Sequence, residues 1–300
     1  MVYRLGEFSA QRQFLLNNKR SNFDQSEILE HLATGKKVLR GSDDPVNYMR
    51  IEETKNQLRQ NAAFEKNVEQ ILQQNQAIET ALGSIRDAFD SAREVAVQGT
   101  SHLNDDLERE TVADEIAEYR ELIINRLNTR HEGEYLFSGN LVTTQPFDAT
   151  GTVYSGNTVI TNARINETDT IPTNFIGSEI AYGPTGPGDP TDMIEILTNL
   201  EAAYRNNDEV AINAELPRLR ATSERLNETV AEVGTRNVRL ISERDEYGLF
   251  EENLKSVLAE LEDADLAEEI VGLEQVQNEI QAQLRSQRTL NTQSLLDFLG

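Results

Sequence analysis

The chain has 300 residues, a formal net charge of −24, no cysteine and no tryptophan. That length is enough for one to three domains with a real core. The charge argues against a nucleic-acid backbone as partner, since the densest basic group is only Lys36, Lys37 and Arg40. The missing cysteines exclude disulfides, thiol catalysis and cysteine-ligated zinc.

From the N-terminus, "MVYRLGEFSAQRQFLLNN" has neither a continuous apolar stretch nor a small-residue cleavage site, so an ordinary cleaved signal peptide is not expected. No apolar run approaches the ~18 residues that would span a bilayer, so membrane insertion is not expected. Over residues 5–32, Leu5, Phe8, Leu15, Leu16, Phe23 and Leu29 cover a wide arc of a helix, while Phe14, Ile28 and Leu32 fall on another side. A helix apolar on several sides needs burial on several sides, which one partner helix does not give.

The stretch "LATGKKVLRGSDDPVNYMR" then breaks the pattern. Gly41, Ser42, Asp43, Asp44 and Pro45 have the chemistry of a hinge followed by a helix start. Asp44 suits the N-cap, Pro45 the first helical position, and Asp43 adds negative charge beside the helix dipole. The pair lacks the further regularly spaced oxygen ligands of a calcium loop, so no metal is expected there.

A helix over 45–98 follows, with a 3–4 spacing from Phe64 through Val68, Ile71, Asn75, Ile78, Leu82, Ile85, Phe89, Ala92 and Ala96 to Gly99, apolar except at Asn75 and the terminal Gly99. That rhythm is a coiled-coil seam, and ~80 Å of helix requires an equally long partner. Asp105 and Glu108 fit a capping box for the next helix, running to about Arg130 with Val112, Ile116, Tyr119, Ile123 and Leu127 on its apolar face. Residues 133–190 change character. The piece "SGNT" suits a tight hairpin, "NFIGSEIAY" a short strand, and 183–190 a Gly/Pro linker. A short helix is expected at Asp192–Tyr204.

The partner seam starts at Leu219 and reads Leu226, Val230, Val233, Asn237, Leu240, Arg244, Tyr247, Glu251, Leu254, Leu258 and Leu261. Asn75 and Asn237 are polar seam residues that could meet. Pro217 predicts a helix start or kink. At the C-terminus Leu266, Ile270, Leu273, Ile280 and Leu284 read as a further seam, and Leu295, Leu296, Phe298 and Leu299 close the chain.

His31, His102 and His131 have no metal-ligand spacing. No phosphate-cradling glycine loop or nucleophile elbow is present. No catalytic, cofactor or metal site is therefore expected. The fold expected is mainly α: a long antiparallel coiled-coil or helical-bundle rod built from the N- and C-terminal halves, with a small inserted β domain. Its parts are a terminal assembly domain (1–42 and 256–300), a rod domain (43–138 and 190–255) and the insertion (139–189).

Three segments, "LATGKKVLRGSDDPVNYMRI", "GTSHLNDDLERETVADEI" and "HEGEYLFSGNLVTTQPF", together with "LEDADLAEEIVGLEQVQNEIQAQL", resemble the flagellin superfamily over nearly the whole chain. Glu262, Asp263, Ala264 and Asp265 are the recognisable core of the last. Flagellins typically carry Asp-Asp-Ala-Ala where this chain has Asp43, Asp44, Pro45 and Val46. The Ser42–Pro45 form and the Tyr-Leu-Phe-Ser-Gly segment resemble instead the branch that joins hook to filament. In "VGTRNVRL" the superfamily often has its Asn where this chain has Val238.

The resemblance implies a structural adaptor exported unfolded through the flagellar type III apparatus, with terminal segments that fold on assembly. It implies as partners hook-associated protein 1, flagellin, further copies of itself in a ring and a cytosolic flagellar export chaperone. A flagellin with a reduced outer domain is the rival, and an unrelated cytosolic coiled-coil scaffold a more distant one.

Overall fold

The computed structural model describes residues 2–102, 106–166 and 168–299, with side chains described for 11–101, 106–166 and 168–288. It is mainly α. The helices are α1 (Val2–Thr34), α2 (Pro45–Gly99), α3 (Asp106–Leu127), α4 (Gly177–Tyr182), α5 (Met193–Arg205), α6 (Glu209–Glu262) and α7 (Leu266–Leu299). Strands β1 (Arg130–His131) and β2 (Glu134–Tyr135) form one antiparallel pair, and β3 (Asn162–Arg164) and β4 (Thr170–Pro172) another. The chain divides into two compact units, one of residues 1–60 with 251–300 and the other of 61–250. The first boundary falls inside α2 and the second inside α6, later and earlier respectively than the boundaries at 42 and 256 expected from sequence.

In the larger unit the α2 seam is core. Val68, Ile71, Ile78, Leu82, Ile85, Phe89, Ala92 and Ala96 are buried, as are Leu219, Leu226, Val233 and Leu240 of α6, with Val230 half-buried. Helices α3 and α5 pack on each other and complete that core. Ion pairs lace their rims: Arg120 Nη1 to Glu201 Oε2 at 2.6 Å and Arg205 Nη2 to Asp114 Oδ1 at 2.7 Å. Tyr204, fully buried, donates its hydroxyl hydrogen bond to the Ala96 carbonyl. It crowds Gly99, where a Cβ would stand 3.0 Å from the Tyr204 ring and 2.9 Å from Val112. Gly99 thus ends α2 where only a hydrogen fits.

The small β part expected at 139–189 is present, and the segment that carries it packs into the core of the long helices. Leu136, Phe137, Phe147, Phe175, Ile180 and Tyr182 are part of the same core as the long helices. Three local expectations are corrected. No hairpin forms at 155–158; instead Asn157 Oδ1 accepts from the backbone N–H groups of Asn140 and Val159, and the hairpin is β3–β4, turned by Asn166. The segment read as a strand at 174–182 contains α4, whose Ile180, Ala181 and Tyr182 are buried. The 183–190 stretch is an ordered turn rather than a linker.

Asp189 organises that turn. Its carboxylate accepts from both the N–H and the hydroxyl of Thr185 and of Thr191, which holds its pKa well below the usual carboxylate range. Arg218 and Arg225 of α6 donate to carbonyls of Asp189, Pro190, Thr191, Glu179 and Ile180, fastening the turn and α4 in place.

Helix α6 begins at Glu209, not at Pro217. Asp208 accepts from the Ala211 N–H and starts it. Pro217 and Asn213 are on the solvent side, where water can serve the Asn213 carbonyl that proline leaves without a donor.

Gly139, in the Tyr-Leu-Phe-Ser-Gly segment, has φ +69°, and a Cβ there would stand 2.2 Å from the Asn157 carbonyl oxygen. Gly133, at φ +89°, has open space around it. Gly139→Ala is expected to cost more than about 2 kcal/mol, and Gly133→Ala about 1 kcal/mol from backbone strain alone. Thermal unfolding of the two variants checks this ordering, and equal losses would refute the close approach.

Candidate assembly interface

The smaller unit is built on α1 and α7, which pack antiparallel. His31 Nδ1 lies 2.8 Å from Glu269 Oε1, Gln283 Nε2 donates to Ser21 Oγ at 3.0 Å, and Ile28 packs where Gly272 leaves room. The inward face of α1 is Phe14, Asn18, Ser21, Gln25, Ile28 and Leu32; that of α7 includes Gly272, Leu273, Val276, Ile280 and Gln283. The α1 face is half polar, and the α7 face sets Gly272 and Gln283 among its aliphatics.

The large apolar side chains mostly point away from this contact. Leu15, Leu16, Phe23 and Leu29 on α1 are exposed, Phe23 by 68%, and so are Leu266, Ile270, Val271 and Leu284 on α7. Of the C-terminal residues expected at an assembly interface, Leu273 and Ile280 are half-buried, whereas Leu266, Ile270 and Leu284 are on open faces. A coiled-coil pair buries one narrow stripe per helix, and here that stripe is spent on serine, glutamine and a few aliphatics. Leu16 and Val271 belong to the same exposed set, and Val271 was not singled out from sequence. The side chains of Leu5, Phe8, Leu295, Leu296 and Phe298 lie outside the described residues, although the backbone of α1 and α7 continues through them.

Between the helices the chain is stitched at one joint. Gly35, at φ +73°, closes α1, and its carbonyl accepts from the Ala264 N–H at 2.9 Å. The Lys37 N–H donates to the Glu262 carbonyl at 2.8 Å, so the two backbone hydrogen bonds pair Lys36 with Asp263 as an isolated antiparallel β-bridge. Glu262, buried at the end of α6, takes both Lys36 Nζ at 2.8 Å and Lys55 Nζ at 2.9 Å on the same oxygen. Burial pushes the Glu262 carboxyl up, but the hydrogen bonds and charges of the two lysines outweigh it and hold its pKa below the usual value. Asp265 caps α7 by accepting from the Ala267 N–H at 2.9 Å. The Glu-Asp-Ala-Asp string thus ends one helix, makes the joint and starts the next.

The hinge residues divide their work. Asp44 caps α2, accepting from the N–H groups of Val46 and Asn47 at 3.0 Å each. Asp43 instead faces back, accepting from Leu39 and Arg40 N–H and from the Ser42 hydroxyl, so it shapes the preceding turn rather than the helix terminus. Gly41 lies against the Tyr48 ring, where a Cβ would make ordinary contact at 3.4 Å. Sequence reading missed the joint of Lys36, Lys55 and Glu262; its only signal was the two lysines beside Gly35. Asp105 and His102 lie outside the residues whose side chains are described. Among the described residues no group of three or more His, Cys, Asp or Glu is placed to hold a metal ion, and no helix is long and apolar enough to cross a membrane.

Glu262→Gln is expected to lower stability at neutral pH by about 1–2 kcal/mol, since two charged donors lose a buried carboxylate. The folded carboxyl titrates lower than the unfolded one. Its contribution is therefore complete above the ordinary carboxylate range and is lost as pH falls through the folded value. Urea unfolding at pH 7 and pH 3 should show the parent–variant gap shrinking towards acid; a gap that widens would contradict the joint.

Residues 8–141 match the family model of the bacterial flagellin N-terminal helical region. The chain is 23% identical over 210 residues to flagellar hook-associated protein 3 of Escherichia coli K12, a match covering 66% of each chain. It is 27% identical over 195 residues to the protein of the same name in Salmonella typhimurium, covering 62% of this chain and 61% of that one. The matches thus span a little under two-thirds of those relatives. The fold is that of a solved flagellar hook-associated protein-3 from Legionella pneumophila, with TM-score 0.61 and 13% identity, over 70% of this chain and 98% of that one. The chain is thus similar to flagellins over residues 8–141 and to the curated hook-associated relatives over about two-thirds of its length, and it shares the fold of the solved structure.

Proposed function

We propose that this chain is a structural adaptor of the bacterial flagellum that joins hook to filament. It acts outside the cell, in a ring between hook-associated protein 1 and the first flagellin layer, after export with the help of a cytosolic chaperone. The observation that carries the reading is the helix pair α1–α7, which leaves Leu15, Leu16, Phe23, Leu29, Ile270 and Leu284 in water. Burying a side chain of this size gains about 1.5–3 kcal/mol, so covering that set by neighbours is a large driving force for assembly. Leu273 and Ile280 hold the pair together, and Leu5, Phe8, Leu295, Leu296 and Phe298 extend its apolar character towards the chain ends. The acidic larger unit and the 139–189 segment remain for partner and solvent contacts. The two curated relatives carry the hook-associated name, which supports this reading over a flagellin with a reduced outer domain.

A deletion strain should keep hooks, lack filaments and release flagellin into the medium. Complementation with the parent should restore filaments, while a Phe23→Ser/Leu284→Ser variant that is exported and folded should not. Filament growth with the double variant would remove the apolar faces from the account. Purified protein seeded with filament fragments should not elongate them; long growth would support the flagellin reading instead.

A further inference from the structure

The larger unit holds two separate apolar clusters along the α2–α6 seam. One includes Ile78, Leu82 and Ile85 with Leu226 and Val233, and extends into α3 and α5. The other consists of Val68, Ile71 and Leu72 with Leu240, capped by Ile165 and Ile171 of the β3–β4 hairpin. Asn75 and Asn237 fall in the gap between them in both helices. They are level with one another in the antiparallel pairing that Asp90–Ser223 and Phe64–Tyr247 define on either side.

They do not bond to each other. Asn237 Nδ2 donates to Glu79 Oε2 at 2.6 Å, leaving Asn237 Oδ1 and both polar atoms of the wholly buried Asn75 without partners. Each such group carries a desolvation cost that no contact returns, so this layer is the weak plane of the seam. Above it α2 and α6 are held by two further helices and by the Arg218 and Arg225 clamps. Below it, among the described residues, no further long helix covers them: the β3–β4 hairpin caps the cluster, and the β1–β2 turn lies beside Gln70, Gln73 and Gln74 of α2.

We propose that the Asn75–Asn237 layer is a built-in compliance joint: the paired segments 61–74 and 238–250 open locally while the larger apolar cluster stays closed. Local opening confined by a polar layer needs no loss of the main core, because the two clusters share no apolar contact across it. Asn61, whose Oδ1 also has no partner, marks the far limit of the same segment.

Hydrogen exchange followed by mass spectrometry on the full chain tests this. Amides of 65–74 and 240–250 should exchange at least about tenfold faster than those of 80–92 and 219–233. Asn75→Leu/Asn237→Leu, which joins the clusters, should slow the lower segment by about tenfold or more and leave the upper one unchanged. Asn75→Ser, which keeps the layer polar, should preserve the parent pattern. Equal protection on both sides in the parent overturns the proposal without any variant. So does a folded leucine variant, single or double, whose lower segment exchanges as fast as before.

Discussion

A helix paired with one other helix can bury a single stripe of its surface, and this limit decides what is core and what is surface here. In the larger unit α2 has further partners, so its stripe from Ile78 to Ala96 is closed on all sides by α3, α5 and α6. In the smaller unit α1 and α7 have chiefly each other, and the stripe they share contains Ser21, Gln25 and Gln283. Phe23, Ile270 and Leu284 are left on open faces. The same chain therefore carries one set of apolar residues in its core and another on open faces.

The joint between α1, α6 and α7 shows how the two kinds of helix are tied. A glycine in the left-handed region turns the chain, two backbone hydrogen bonds stitch Gly35 and Lys37 to Ala264 and Glu262, and one buried carboxylate collects two lysines. Distant parts of the sequence meet there. The recognisable motifs "LATGKK" and "LEDAD" are the two sides of one contact, which gives a physical reason for their residue types.

The sequence was most legible where one residue type has one physical job. Asp44 and Pro45 start α2, and the 3–4 rhythm marks the buried side of both long helices, because capping and seam periodicity are local rules. It was least legible where a tertiary partner decides. Pro217 is tolerated inside α6 because it faces water, and Asp208, a good cap, was the available signal for the true start. Helix α4 is too short to show a period, and its form depends on Tyr182 reaching the Gly151 carbonyl and on Arg225 from α6. At the C-terminus residue type alone did not separate Leu273 and Ile280, which face α1, from Leu266, Ile270 and Leu284 on open faces, because the face meeting α1 is partly glutamine and glycine.

In the proposed function the outward apolar faces of α1 and α7 are covered only on assembly. Because the chain has no cysteine, single Phe23→Cys and Leu284→Cys variants give a clean test of solvent access by thiol labelling. In the purified monomer both should label at the rate of an exposed thiol. In flagella sheared from cells both should be strongly protected. Equal labelling in monomer and flagellum would contradict the account.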